Sequence, residues 1–418
     1  MKLHNQIFLA MGLAVACGLL LPEVSLSIKF LGDIFLAALK MVIGPLIMAS
    51  VVVGVLSLGD VRHAGRIGGK AIIYFFSTTF LAVIFGLLLV NLVHPGRGVD
   101  LSALLTSEAS VRAQEVGIGE FLRELLVGIF MNPFKALTEG KVLSVIAFSL
   151  LLGGVITTLG ERGEPLKRFF ESLNDAMMKM VHVILFFTPI GVFALVGNIV
   201  AKSGLSVFAG LAKYMFTVVA GLSLHVIVLL FLVLPLFGRI KVGWMVKGMR
   251  AAYAMAFSTA SSSATLPLTM ECAQNNVGVP RRSVRFVLPL GATINMDGTA
   301  LYEAVAAVFI AEAYGIHLGL GEQIIVFLTA TVAAIGAAGI PEAGLVTMSM
   351  VLTSVGLPLE GIGLLLAVDR VLDMCRTCVN VVGDSVGSVV VARLDGLPFH
   401  DVTSGPEPDE ADATGNPA

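Results

Sequence analysis

Three apolar runs, near residues 6–27, 31–58 and 71–94, fill most of the N-terminal part of the chain. At 1.5 Å of rise per residue, each is long enough as a helix to cross a hydrocarbon layer of about 30 Å. Further runs lie near 117–159, 176–201 and 212–237; the first of these is broken by "MNPFKALTEGK" and must be segmented. The runs are continuous rather than alternating, which selects spanning helices over a transmembrane barrel. Only 13% of the residues are charged, against about 25% in a soluble domain. The chain therefore reads as an all-α integral membrane protein. Its N-terminal stretch, "MKLHNQIFLAMGLAVACGLLLPEV", reads as a first membrane helix rather than a signal peptide, because the next apolar run follows within a few residues. The tail, 397–418, is acidic and rich in Pro and Ala, and is expected to be disordered.

After residue 240 the pattern changes. The stretches 250–275 and 321–356 are apolar but interrupted at their centres, by "STASSSATLP" and "AIGAAGIPEAGL". Each is followed by a fuller span, 284–314 and 361–392. Basic residues place the loops. Arg62, Arg66 and Lys70 mark the cytoplasmic side, as do Arg162, Lys167 and Arg168, then Arg239, Lys241, Lys247 and Arg250, then Arg281, Arg282 and Arg285. The segment 250–275 has basic loops at both ends and must enter and return as a re-entrant hairpin from the cytoplasm. The segment 321–356, with weakly charged flanks, is expected to do the same from outside. Both termini fall on the cytoplasmic side. Two opposed hairpins, each followed by a full helix, form an inverted repeat, an arrangement that puts a binding site near mid-membrane.

The last span carries "DRVLDMCRTCVNVVGD", residues 369–384, with three Asp, two Arg and an Asn inside apolar sequence. On a helix turning about 100° per residue, Asp369, Asp373, Arg376, Thr377, Asn380 and Asp384 share one stripe of roughly 100°. Arg370 edges off it. Cys375 and Cys378, spaced like a redox or zinc motif, do not share the seam. With Cys17 and Cys272, they lie in or beside apolar segments and are expected to be reduced. Arg376 offers a planar fork of donors suited to a carboxylate. Its partner is either a bound carboxylate or a neighbouring acid, Asp373 or Asp369. Three acids against two bases leave an excess of negative charge that a cation near Asp384 or Asp369 would balance.

"INMDGT", 294–299, interrupts another apolar helix with poor helix formers. Local unwinding would let freed carbonyls and the side chains of Asn295 and Asp297 form an oxygen-rich cage for a hard monovalent cation. A kinked packing helix with a hydrogen-bonded Asp is the alternative. Glu303, one turn further, is set among apolar residues. It either carries a proton or is a neutral hydrogen-bonded acid.

Taken together and in this order, "SSSATLP", "NMDGT", "GAAGIPEAGL" and "DxxxDMxRTxxNVxGD" resemble the glutamate transporter family, the dicarboxylate/amino acid:cation symporters that include the excitatory amino acid transporters. The resemblance covers nearly the whole chain. It implies eight transmembrane helices plus the two hairpins, in a homotrimer of elevator type. Residues 1–70 (helices 1–2) and 95–205 (helices 4–5) would be scaffold; 71–94 (helix 3) and 206–396 (helix 6 to helix 8 with both hairpins) would be the moving transport domain. Arg376 would hold a substrate side-chain carboxylate and Asp373 its ammonium. Thr299, Thr377, Asn380 and the backbone around Ser262, Ile340 and Gly344 would complete the pocket. One sodium site would use Asp384 with carbonyls of Gly291, Asn295 and Asn380. A second would use carbonyls of Thr293, Met296, Ala334, Ile335 and Ala337. A third would use Asn295 and Asp297 with Thr78 and Thr79, and Asp369 would lie near these ions. Glu303 resembles the proton-carrying glutamate of eukaryotic members. Two arginines found in some members, just before "SSS" or two residues ahead of the substrate Arg, are replaced here by Ala260 and Met374, and Phe75 stands where some members have Tyr.

The expected function is import of aspartate or glutamate across the cell membrane, coupled to co-transported sodium and to protons. A C4-dicarboxylate carrier would leave Asp373 without an ammonium, and a neutral amino acid carrier would not need Arg376. An anion channel fits opposed hairpin gates less well than alternating access. An intramembrane enzyme is disfavoured because His182 and His225 lie in separate spans without metal-site spacing, and no GxSxG is present.

Overall fold

In the computed structural model, residues 3–63, 66–99, 101, 127–139, 141–204, 206–336 and 343–399 are described. Among them there are helices and turns but no strand. The opening helices are α1 (Leu3–Leu20), a short α2 (Pro22–Ser27), α3 (Lys29–His63) and α4 (Arg66–Val93). Then come α5 (Pro133–Thr138), α6 (Val142–Thr158), α7 (Glu164–Phe186), α8 (Thr188–Ser203) and α9 (Ser206–Val228), which runs on in wider π-helical turns to Gly238. The C-terminal part holds α10 (Val242–Thr259), α11 (Ser262–Glu271), α12 (Arg281–Ile294), α13 (Asp297–Ala313), α14 (Leu320–Gly336), α15 (Ala343–Ser354) and α16 (Ile362–Leu394). Among the described residues, four helical runs are long and apolar enough to span a membrane by length and composition, Arg66–Val93, Phe208–Gly238, Arg281–Ala313 and Val368–Leu394, and up to six if each of two bent helix pairs counts as one span.

Prolines set several boundaries that apolar content alone does not. The run near 6–27 is not one helix. Leu21, just before Pro22, leaves the helical region at φ −135°, ψ 61°, as steric conflict with a following proline favours. The chain then turns by 119°. Likewise the run near 176–201 ends one helix at Phe186 and starts another whose first turn holds Pro189. Proline fits there because a first-turn N–H needs no intrahelical partner.

The stretch 250–275 doubles back as α10 and α11. Ala260 makes the corner in the left-handed region, at φ +52°. Ser261 then caps α11, its Oγ accepting from the Ala264 N–H at 3.1 Å. The stretch 321–356 forms α14 and α15, which pack on each other. Its centre, residues 337–342 with Ala337 and Ile340, lies outside the described residues.

Packing falls into two groups. The helices α1, α3, α6, α7 and α8 pack largely among themselves, whereas α16 is surrounded by α4, α9, α10, α12 and α13. The centre of the second group is α13, where every residue from Asp297 to Ala313 except Glu312 is buried. At one end of this bundle the Lys70 ammonium joins α4 to the end of α16. It donates to the Leu394 carbonyl at 2.6 Å and to Asp395 Oδ1 at 2.8 Å. The hydrogen bond from Lys70 holds the Asp395 carboxyl below its ordinary 3.8. This contribution is present above 3.8 and is lost as pH falls through the lower folded value. Thermal unfolding in detergent should show Lys70→Met less stable by about 1 kcal/mol near neutrality. The difference from wild type should shrink in acid.

Candidate functional site

The site is built where two helices lose their regularity against a third. Asn295 (φ −87°, ψ 85°) and Met296 (φ −111°, ψ 48°) interrupt the run between α12 and α13, so the expected unwinding is present. The break is held from α16. Asn295 Nδ2 donates to Asp384 Oδ1 at 2.9 Å and lies 3.4 Å from the Asn380 carbonyl. Asn380 Oδ1 accepts from the Gly298 N–H at 2.8 Å, and its Nδ2 donates to Met296 Sδ at 3.2 Å. Glycines permit this closeness. A Cβ on Gly383 would stand 2.7 Å from Asn295 Nδ2, and one on Gly291 would run into the Asp384 carboxylate.

On the α4 side the break meets a group of oxygens short of hydrogens. Thr78 Oγ1 lies 3.1 Å from the Phe75 carbonyl, 3.4 Å from Asn295 Oδ1 and 3.3 Å from Asp297 Oδ1. Thr79 Oγ1 lies 2.7 Å from the same Asp297 oxygen. A hydroxyl has one hydrogen to give, so Thr78 can satisfy only one of its three acceptors. Asn295 cannot help, because its amide nitrogen is directed at Asp384 and its oxygen faces this group. All four side chains are buried. Clustered acceptors in a dry site repel unless a cation sits among them. Oxygen donors without thiol or imidazole suit a hard ion.

The second centre is Arg376, which is 1% exposed. Its Nη1 donates to Asp369 Oδ1 at 3.0 Å and its Nη2 to Asp373 Oδ1 at 2.8 Å. The guanidinium carbon lies 3.9 Å from the centre of the Tyr302 ring, and the Tyr302 hydroxyl donates to Asp369 Oδ1 at 2.8 Å. Arg370 approaches Asp373 from the rim at 3.8 Å. Of the two partners left open by the sequence, the structure thus brings both neighbouring acids onto the arginine. Among the described residues the pairing is incomplete, since Arg376 Nε has no hydrogen-bond partner there. Backbone closes over the group: a Cβ on Gly344, in α15, would stand 2.9 Å from Nη2, and one on Gly298 would stand 2.7 Å from the Arg376 carbonyl.

The other predicted residues distribute around these centres. Thr299, Thr377 and Ser262 are buried, Ser262 in the first turn of α11, which packs on α12 and α16. Ala334 is buried in α14, near whose end Ile335 also lies, whereas Thr293 is exposed on α12. Glu303 is fully buried on α13, and neither of its carboxyl oxygens has a hydrogen-bond partner among the described residues. Sequence reasoning missed His225 of α9, whose Nε2 lies 3.0 Å from Asp297 Oδ2. It also missed Tyr302 beneath the arginine. Both signals existed, a lone His in an apolar span and a Tyr one residue before Glu303, but neither shares a motif with its partner.

Among the described residues, the fold and site define an all-helical protein, with apolar helices fit to span a membrane, whose buried charged groups line the unbroken α16 and the break between α12 and α13 beside it. The match to known proteins specifies this further. A family model described as the sodium:dicarboxylate symporter family matches residues 3–394. A proton/sodium-glutamate symport protein of Geobacillus stearothermophilus is 37% identical over 399 residues, covering 94% of each chain. Excitatory amino acid transporter 3 of Homo sapiens is 40% identical over 413 residues, covering 87% of this chain and 79% of its own. The chain belongs to the sodium:dicarboxylate symporter family, whose members are transporters.

Removing one partner from a buried ion pair costs about 3–5 kcal/mol, because the other charge is stranded. Arg376→Met leaves Asp369 and Asp373 without their central cation. It should lower stability by that order, measured as thermal unfolding in detergent. Adding Asp369→Asn to the same chain should restore a large part of the loss.

Proposed function

We propose that this protein is a sodium-coupled symporter of acidic amino acids, aspartate or glutamate, and that protons are co-transported. The observation that carries the reading is the Arg376 centre: a buried guanidinium whose Nε has no partner among the described residues, against an acid that a substrate ammonium can take over. An acidic amino acid brings its own exchange of partners. Its side-chain carboxylate replaces Asp373 on the guanidinium, and its ammonium gives Asp373 a new cation. Every buried charge stays matched through the exchange, so the desolvation that makes buried charges costly is not paid twice. A dicarboxylate without an amine would displace Asp373 and leave it only the rim Arg370, 3.8 Å away, as a counter-charge. Relatives named for glutamate symport and excitatory amino acid transport agree with this choice.

The hydrogen-poor oxygens of Thr78, Thr79, Asn295 and Asp297 are assigned to one sodium ion. Asp384, with carbonyls of Gly291, Asn295 and Asn380, is assigned to another. Carbonyls of Thr293, Met296, Ala334 and Ile335 form the described part of a third set. Thr299, Thr377, Asn380, Ser262 and Gly344 complete the substrate pocket, with Asp369 holding the far side of Arg376. Glu303 carries the proton: an apolar pocket holds a carboxyl most cheaply in its uncharged form. The two packing groups support a scaffold of residues 1–70 and 95–205 and a transport body of 71–94 and 206–396. An elevator movement of that body in a homotrimer, with the two hairpins as an inverted pair, completes the proposal. So do a cell-membrane location and cytoplasmic termini, which the basic loops favour.

Proteoliposomes under sodium, proton and potassium gradients imposed one at a time test the coupling. Labelled aspartate should accumulate only with an inward sodium gradient, and accumulation without sodium sinks the reading. Arg376→Cys should reverse selection toward neutral amino acids in competition assays, by tenfold or more on the scale of one lost charge-assisted hydrogen-bond pair, roughly 1.5–3 kcal/mol. In wild type, uptake should fall as external pH rises through the titration of Glu303. Glu303→Gln, fixed in the uncharged form, should flatten that dependence.

A further inference from the structure

His225 lies at the inner edge of the oxygen cluster, on a helix that contributes nothing else to it. Its imidazole is completely buried on α9 and stands edge-on to Phe85 of α4, with ring centres 6.2 Å apart. Nε2 is 3.0 Å from Asp297 Oδ2, while Nδ1 has no hydrogen-bond partner among the described residues. A carboxylate only accepts, so Nε2 is the donor. The two Asp297 oxygens are thereby divided. Oδ2 is held by His225, and Oδ1 faces Thr78 and Thr79.

This division matters because the Thr78 and Thr79 hydroxyls reach only Oδ1, and among the described residues His225 is the side chain that holds the other oxygen. The terminal torsion of Asp is broad. Asp297 is also the first residue of α13, where a carboxylate is drawn to the unpaired N–H groups of its own helix. Turned toward that helix, its oxygens would leave the group around Thr78. We infer that His225 is a positioning residue for the sodium ion assigned to Asp297: its Nε2–H holds Oδ2 so that Oδ1 stays among the oxygens of Thr78, Thr79 and Asn295. The inference rests on the sodium-coupled reading above. It adds a residue that touches neither sodium nor substrate. A partner that orients a ligand carboxylate in this way typically changes metal affinity by about 10–100-fold when lost.

The test uses the full chain reconstituted in proteoliposomes, with sodium titrated at saturating labelled aspartate. His225→Phe keeps the ring and removes the donor. It should raise the half-saturating sodium concentration by about tenfold or more, with uptake recovering as sodium is increased. His225→Gln places an amide N–H near the position of Nε2 and should stay within about threefold of wild type. His225→Asn, whose amide is too short to reach Oδ2, should behave like the Phe variant and decides the matter if that variant does not fold. The inference is overturned if Phe and Asn leave the sodium dependence unchanged, or if Gln is impaired as severely as Asn. Wild-type uptake that ignores sodium defeats the symport reading itself, a result distinct from either.

Discussion

A guanidinium enclosed at the centre of a membrane protein has to be matched, and the arrangement around Arg376 follows from that requirement. Two carboxylates approach it from the same helix, one and two turns away, and a tyrosine ring lies against its face. Flanking helices come close enough to seal the group only where they present glycine, at Gly298 and Gly344. Large side chains at those positions would separate α13 and α15 from α16 and admit water or lipid. The same dryness strengthens each charge interaction that remains. A site of this kind discriminates by charge balance as much as by shape, since a ligand that leaves one buried ion unmatched is rejected by several kcal/mol.

The arginine and the oxygen cluster are not independent structures. Asn380 lies one turn beyond Arg376 and reaches across to Gly298 and Met296, while Asn295 is anchored on Asp384 and presents its oxygen to Thr78. A cation bound at the broken segment would therefore also set the position of Met296, Asp297 and Gly298, and the last of these packs on the backbone of Arg376. Such a chain of hydrogen bonds is a physical route by which occupancy of one centre biases the other, and linkage makes the bias reciprocal.

Much of this was legible in the sequence for reasons of periodicity and cost. Polar residues at helical spacing inside an apolar span imply one buried seam, and the seam on α16 is there. Asn, Asp and Gly in succession are poor helix material, and the helix breaks at Asn295. The serines expected near the tip of the first hairpin are at the corner of α10 and α11, where Ser261 caps α11. What could not be read were contacts across the bundle. His225 and Asp297 are separated by 72 positions, and the pairing depends on how α9 lies against α13. Arg376 facing both acids at once depends on rotamers, which spacing along a helix does not determine. The breaks beside Pro22 and Pro189 were visible in principle, but a reading by apolar length passes over them.

Lys70 has a consequence for how motion in this protein could be followed. Its ammonium binds the last carbonyl of α16 although 324 positions separate the two residues. Farther along, α4 contributes Thr78 and Thr79 to the interior while Ile73 and Leu88 point outward. Two early segments of the chain thus pack differently: α3 mainly against α6, α7 and α8, and α4 mainly against α13, α9 and α16. A fluorophore or spin label on the outer side of α4 would report the location of the central helix relative to α3, without intruding on any group that binds cargo.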